Sequence, residues 1–239
     1  MKILLSLALV VSLFITHPLL AGEPTEQLRA TLEGVVTVLN EAPRSEGNQK
    51  EWPDQLRRLI YARFDFLEMA KRSLGAHWKA LTAREQKEFA QLFSGLLETA
   101  STSIIDTYNA AKTHYKREVQ EDAYARVETK VVTKKGDEVA VDYNLQLVNG
   151  DWKVYDVLVD NISMVNNYRS QFTRVIAQSS FQDLVRRIKA KQSQALTMKR
   201  AGFSNPAALG PRNIRNDSRP LILVTLIGSS NDGQWVPRP

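Results

Sequence analysis

The spacing of the apolar residues changes once along this chain, and that change limits the fold more than any single motif does. Up to about Tyr115 they recur every three or four residues, as on one face of a helix, and the longest stripe runs from Phe89 to Tyr108. After Tyr115 they alternate, in the segments 125–134 and 138–148. Alternation is typical of half-buried strands, so the order of the two patterns predicts an α+β fold.

Two turn signals divide the alternating half of the chain into strands. The letters KKGD separate the first two segments, and Asn149-Gly150 is a strong two-residue hairpin signal before the third. The third segment is apolar on both sides, with Trp152, Val154 and Leu158 alternating against Tyr155, Val157 and Val159. We therefore expect an antiparallel sheet of three to four strands, with this strand central and helices covering at least one side.

Capping residues predict where two of the helices begin. Thr82 and Glu85 have the spacing of a capping box at the start of the longest helical stripe. Ser163 is a suitable N-cap for the polar segment NNYRSQF, which follows the apolar strand directly. The polar residues of that segment then form the outer face of a helix, while Met164, Tyr168 and Phe172 keep helical spacing on the inner face.

The first 21 residues have the layout of a secretory signal peptide. Lys2 precedes an apolar run to Ile15, followed by Pro18 and the small residue Ala21. A membrane anchor is the alternative, but the run is shorter than the roughly 20 residues that span a bilayer. The chain contains no cysteine, which excludes both a lipoprotein anchor and disulfides. We expect export to the periplasm of a Gram-negative bacterium.

Charge is distributed unevenly between the main segment and the tail. Residues 22–196 carry 25 basic and 24 acidic side chains, so the excess positive charge of the chain lies mostly in residues 197–239. A basic groove is therefore not a property of the main domain, and we expect no nucleic-acid partner. We divide the chain into a signal peptide (1–21), a domain (22–196) and a flexible C-terminal extension (197–239).

The exported segment offers little for catalysis. It contains only His77 and His114, and it has neither a Gly-x-Ser-x-Gly motif, nor histidines at metal spacing, nor a glycine-rich phosphate loop. Asp156 and Asp160 lie four apart on one predicted strand face, where paired carboxylates serve some enzymes as acid and base. A solvated edge or an arginine-paired structural role is the alternative for both. We expect no enzyme activity, no metal and no cofactor.

Three stretches together resemble the MlaC family, also called the toluene-tolerance protein family. They are FDFLEMAKRSLGAHWKALTAREQKEFAQLF, VVTKKGDEVAVDYNLQLVNGDWKVYDVLVDNISMVNNYRSQF and SSFQDLVRRIKAKQ, and the similarity runs from about residue 25 to 195. The pairing of WKVYDV with NNYRSQF is the most specific part. The tail beyond residue 196, including the apolar run Leu221 to Gly228, departs from the family and has no assigned function.

The resemblance implies a periplasmic carrier of glycerophospholipid. Its expected partners are an outer-membrane lipoprotein and porin complex and an inner-membrane ABC transporter that bears an MCE-domain ring, and we expect the carrier itself to be a monomer. The implied fold has helices packed on a curved antiparallel sheet, with an apolar cavity for acyl chains between them. A structural or adaptor protein with a solid core is the alternative function, and an enzyme that uses the cavity is a second one.

Inward-facing residues of the implied fold are candidates for the cavity wall, with ordinary core packing as the alternative for each. Arg169 is a candidate neighbour of the lipid head group, or else a surface or carboxylate-paired arginine. The candidate wall consists of Phe93, Leu97, Ile104, Val141, Tyr143, Leu145, Tyr155, Val157, Val159, Met164, Tyr168 and Phe172.

Overall fold

The computed structural model describes residues 23–41, 54–108, 112–132 and 136–200, except for the side chains of 101–108, 196 and 198–200. The predicted signal peptide and residues 201–239 lie outside the described residues. The elements are α1 (Glu23–Glu41), α2 (Asp54–Arg63), α3 (Phe66–Leu74), a 3₁₀ helix (Gly75–Ala80), α4 (Ala83–Tyr108), β1 (Lys112–Glu121), β2 (Tyr124–Val132), β3 (Glu138–Val148), β4 (Asp151–Val159), β5 (Ile162–Ser163), α5 (Met164–Gln178) and α6 (Phe181–Arg200). Helix α6 thus continues past the predicted domain boundary at residue 196.

The strands of the described residues form one antiparallel sheet in the order β1-β2-β3-β4-β5. This confirms the predicted α+β fold, although the sheet has five strands where three to four were predicted. The edge strand β1 and the two-residue β5 lie outside the three segments that the sequence marked. The hairpin turn at Asn149-Gly150 is also confirmed, with φ of 52° and 88°. A second turn, at Asp160-Asn161, has φ of 47° and 68°. Both residue pairs have the positive φ that a type I′ hairpin turn requires.

The change from helix to strand comes earlier than the sequence predicts. Helix α4 ends at Tyr108 and β1 already begins at Lys112, whereas the apolar spacing places the change near Tyr115. Strand β1 is an edge strand with mostly charged and polar side chains, and no residue in it is fully buried. Charged edges protect a sheet from pairing with other chains, and they also erase the alternating apolar signal.

The capping box that opens α4 is present. The Thr82 amide and hydroxyl both donate to Glu85 Oε2, at 2.8 and 2.7 Å, and the Glu85 amide donates back to Thr82 Oγ1 at 3.3 Å. From this start α4 packs against α3 and α6. Within the described residues, no helix is both long and apolar enough to cross a bilayer.

A β-bulge interrupts the pairing of β3 with β4. Asn144 pairs with Asp156, but Leu145 pairs with Val154, so Tyr155 is an additional residue on β4. A bulge shifts the alternation of side chains beyond it. Trp152, Val154 and Val157 consequently lie on the same face of the sheet, and the strict alternation predicted for β4 is wrong.

The junction of α2 and α3 covers the open edge of β4. Arg63 Nη1 donates to the Trp152 carbonyl oxygen at 2.6 Å, and the Asp65 amide donates to the Val154 carbonyl oxygen at 2.9 Å. Gln27 of α1 accepts from both Arg63 Nη1, at 2.6 Å, and the Trp152 amide, at 3.0 Å. These bonds provide hydrogen-bond partners for backbone groups on the open edge of β4, and they hold α1 against the sheet.

The predicted N-cap of α5, Ser163, is confirmed, and its hydroxyl also binds a carboxylate of β4. Ser163 Oγ accepts from the Asn166 amide at 3.0 Å and donates to Asp156 Oδ2 at 2.6 Å. Asp156 Oδ1 also accepts from the Val165 amide at 3.1 Å. The buried carboxylate therefore ties the middle of β4 to the first turn of α5, which fixes where that helix lies on the sheet.

Candidate functional site

Two groups of buried apolar side chains fill the described part of the protein. The sheet cluster joins one face of β2, β3 and β4 to α1, and it contains Leu28, Ala125, Val127, Val131, Val141, Tyr143, Leu145, Trp152, Val154 and Val157. The helical cluster joins the helices from α3 to α6, and it contains Met69, Ala70, Leu74, Trp78, Phe89, Phe93, Leu96, Leu97, Val165, Tyr168, Phe172, Val175, Leu184 and Ile188. A domain of this size usually has one contiguous core, so the division is unusual.

Phe64 and Met164 are partly buried and pack against both clusters. Phe64 lies at the junction of α2 and α3 and forms an isolated β-bridge with Val154. Met164 is the first residue of α5, beside the Val165 amide that Asp156 holds. We call the region between the clusters, marked by Phe64 and Met164, the seam. Through these two residues the sheet side and the helical side of the core share contacts.

Most of the candidate wall residues belong to one of the two clusters. The sheet cluster holds Val141, Tyr143, Leu145 and Val157, and the helical cluster holds Phe93, Leu97, Tyr168 and Phe172. Met164 contacts both. Val159 is buried and pairs with Val141, outside either cluster. The side chain of Ile104 lies outside the described residues.

Tyr155 differs from the other candidate residues in its surroundings. As the additional residue of the bulge, it turns away from the sheet cluster and its ring meets Tyr124 edge-on, with the ring centroids 6.1 Å apart. The guanidinium carbon of Arg72 lies 4.0 Å from the centre of the Tyr155 ring. Tyr155 therefore lies among polar and aromatic groups of the sheet's other face.

Three members of the region were absent from the candidate wall, namely Leu28, Phe64 and Trp152. The helical spacing marks Leu28 and Phe64 as inward residues, but spacing does not say that α1 and the α2–α3 junction meet the sheet. Strict alternation placed Trp152 on the face opposite Val157. The bulge that brings them to the same face cannot be recognised from the sequence. The sequence shows that these side chains face inward, but it does not show which surface each of them packs against.

One buried hydrogen-bond donor of the sheet cluster has no acceptor among the described residues. Trp152 is 1% exposed, and its Nε1 has no partner. Tyr168 is 2% exposed, with its ring centroid 5.2 Å from that of Phe93 and 5.4 Å from that of Phe172. Burial raises the pKa of Tyr168. The hydroxyl is therefore neutral and retains its proton.

The two aspartates that the sequence places on one strand face are separated in the structure. Burial raises the pKa of Asp156, while hydrogen bonds from Ser163 and Val165 act in the opposite direction. Asp160 is exposed in the turn after β4, where its Oδ1 accepts from the Ala140 amide at 3.3 Å. Asp156 and Asp160 therefore are not arranged as an acid and a base around one substrate atom.

The remaining polar candidates also have structural surroundings. Arg169 is exposed, and its Nε donates to the Arg72 carbonyl oxygen at 2.7 Å, while its place beside a lipid head group stays a prediction. His114 lies on β1 opposite Lys130. Across the described ranges, no group of three or more acidic, histidine or cysteine side chains has the arrangement of a metal site.

Comparison with known proteins agrees with the geometry. The family described as MlaC protein matches residues 29–190. Among solved structures, the chain is similar to a phospholipid-binding protein from Ralstonia solanacearum, solved in complex with a phospholipid. The TM-score is 0.67 at 21% sequence identity, and the match covers 73% of this chain and 99% of that one. No curated protein matches at a significant level. Because the family match covers well over half of its residues, the chain belongs to the MlaC family.

Proposed function

We propose that this protein binds a glycerophospholipid with its acyl chains in the seam between the sheet cluster and the helical cluster. The division of the core is the observation that carries the proposal. A solid domain would join its buried residues into one core, whereas among the described residues only Phe64 and Met164 pack against both clusters. Lipid chains between the clusters complete the core without any covalent chemistry.

The residues beside the seam suit acyl chains. Tyr143, Leu145 and Val157 come from the sheet side, and Tyr168 and Phe172 from the helical side. Apolar and aromatic walls with few polar groups are typical of sites that bury most of a ligand. We place Val141, Val159, Phe93, Leu97 and Met164 in the same wall, and we leave Tyr155 out of it because of its contacts with Tyr124 and Arg72.

The energetic reason for such a carrier is the cost of exposing lipid to water. Each methylene removed from water is worth about 0.8 kcal/mol, so two chains of about 16 carbons carry on the order of 20 kcal/mol. Free passage of a phospholipid through an aqueous compartment is therefore very slow. A protein that supplies apolar walls removes most of this cost for each molecule that it carries.

We further propose that the carrier works in the periplasm and is not an enzyme. The signal-peptide layout of residues 1–21 and the family membership support this location, and Asp156 is committed to Ser163 and Val165 instead of a substrate. The lipid is exchanged between an outer-membrane lipoprotein and porin complex and an inner-membrane MCE-domain ABC transporter. These partners follow from the family resemblance.

Lipid content after purification tests the binding step. We expect about one diacyl phospholipid per protein, detected by native mass spectrometry and, after denaturing extraction, by thin-layer chromatography. The lipid-free protein, prepared by refolding, is expected to take up phospholipid from vesicles at the same ratio. A stable protein that purifies without lipid and takes none up would favour the solid-core adaptor instead.

A further inference from the structure

The first part of the edge strand β1 carries basic side chains and no acidic one. Four exposed residues there are basic, and we call them the basic edge: Lys112, His114, Lys116 and Arg117. Residues 22–196 as a whole are nearly neutral, with 25 basic and 24 acidic side chains. The basic edge is therefore a local excess of positive charge in a domain that has almost none overall.

Protection of the edge does not account for the sign of these charges. Both lysine and glutamate serve to keep an edge strand from pairing with another chain, and the second part of β1 contains Glu118 and Glu121. A β-bulge lies between Tyr115 and Arg117, where Lys116 has no partner on β2. Because the bulge adds one residue to the strand, Lys116 and Arg117 are exposed one directly after the other.

Acidic side chains of the neighbouring strands are paired with other cations. Asp142 Oδ2 accepts from Arg126 Nη2 at 2.6 Å, and Glu138 Oε2 accepts from Lys130 Nζ at 2.7 Å. Within the described part of the chain, no carboxylate forms an ion pair with the lysines or the arginine of the basic edge. Their charges are therefore available to an anionic partner.

Glu138 indicates that the potential at this end of the sheet is positive. The hydrogen bond from Lys130 and the charge of that lysine lower the pKa of Glu138 most, and the charges of Lys116 and His114 lower it further. In the strand register, His114 lies directly opposite Lys130. The basic edge thus acts across three strands, and its members reinforce one another.

The basic edge lacks the apolar side chains that a protein partner would bury. The centre of a protein interface is enriched in aromatic and other apolar groups. None of the large exposed hydrophobic residues of the described ranges belongs to β1, since they are Tyr61, Leu67, Tyr124, Leu147 and Ile162. Anionic lipid head groups, in contrast, are attracted by exposed lysine and arginine alone. This surface therefore fits a bilayer better than a protein.

We propose that the basic edge holds the protein at the surface of an anionic phospholipid bilayer. The contact is electrostatic and reversible, and it involves the head groups of the bilayer, whereas the proposed seam takes the acyl chains of a single lipid. Each basic residue close to such a surface strengthens binding about fivefold, so Lys112, Lys116 and Arg117 together contribute on the order of 100-fold at low ionic strength.

The test is cosedimentation of the protein, as residues 22–239, with lipid vesicles. Vesicles of phosphatidylglycerol and phosphatidylcholine in equal parts are compared with vesicles of phosphatidylcholine alone. The wild type is expected to bind the anionic vesicles and not the neutral ones. This binding should be lost as salt is added, because the screening length falls from about 30 Å at 0.01 M to about 3 Å at 1 M ionic strength.

The variant Lys112→Gln/Lys116→Gln/Arg117→Gln removes the three charges from the basic edge. All three positions are exposed, so the fold should be retained, and urea unfolding checks this. Its affinity for the anionic vesicles should be lower than that of the wild type by on the order of 100-fold. Its lipid content, measured by native mass spectrometry, should equal that of the wild type.

Lys79→Gln/Arg84→Gln/Lys87→Gln is the matched control, because it also removes two lysines and one arginine from exposed positions. Its affinity for the anionic vesicles should stay close to that of the wild type. An equal loss in both triple variants would mean that only net charge matters, and it would overturn the proposal.

The behaviour of the wild type provides a second decision. Equal binding to neutral and anionic vesicles, or no binding to anionic vesicles at low ionic strength, overturns the proposal and leaves the proposed acyl-chain site standing. Binding to immobilised polyglutamate without binding to the vesicles would assign the basic edge to an acidic protein instead. A loss of vesicle binding that is confined to the basic-edge variant supports the bilayer.

Discussion

Val157→Trp separates a lipid-filled seam from a solid core. Val157 is 7% exposed, lies in the sheet cluster and pairs with Tyr143. Met164, the first residue of α5, packs against the same cluster. If lipid occupies the space in front of it, the larger indole displaces ligand and leaves the protein's own packing largely intact.

The expected size of the effect follows from the displaced hydrocarbon. An indole adds about seven heavy atoms to the valine side chain and should displace about four methylenes, at about 0.8 kcal/mol each. The loss of about 3 kcal/mol in lipid binding corresponds to an affinity more than 100-fold lower. In a solid core the same change would instead cost about 1 to 3 kcal/mol of stability through overpacking.

Val175→Trp is the matched control. Val175 is 6% exposed, lies in the helical cluster and is the last buried residue of α5, three residues after Phe172. There the change should lower the free energy of unfolding by about 1 to 3 kcal/mol. Urea unfolding of lipid-free protein and lipid occupancy by native mass spectrometry are measured for both variants. A destabilised Val157→Trp protein with normal lipid content would refute the reasoning.

Ser163→Ala removes an N-cap and a hydrogen bond to Asp156, so urea titration should show a free energy of unfolding lower by about 1 to 2 kcal/mol. The raised pKa of Asp156 means that its contribution to stability is present at low pH and is lost as the pH rises through the folded-state pKa. Asp156→Asn should therefore gain stability relative to the wild type over that rise; parallel pH curves would contradict this. Removing residues 201–239, which lie beyond the family match at 29–190, should leave lipid occupancy unchanged; loss of loading would make the tail part of the fold.

Local chemistry made several elements predictable from the sequence. The Thr82 and Glu85 capping box, the Asn149-Gly150 turn and the Ser163 N-cap depend on residues that are close in the chain. Strand β1 was not predictable in this way, because an exposed edge strand needs charged residues and so carries no apolar period.

The candidate site was predictable only in part, and Tyr155 and Trp152 show why. Strict alternation assigns Tyr155 to the same face as Val157 and Trp152 to the opposite one. The bulge reverses this, since it exists only where β4 pairs with Asn144 and Leu145 of β3. Pairing between strands is a relation between distant residues, and apolar spacing within one strand does not contain it.

The sequence by itself determined the α+β class, most element boundaries and the family, because periodicity, caps and turns act over a few residues. The tertiary structure alone decided that the inward faces form two clusters and not one. It also decided that, of the side chains the structure describes, Phe64 and Met164 pack against both clusters. The spacing of apolar residues predicts that a side chain is buried, but the surface that it packs against is determined only by the tertiary structure.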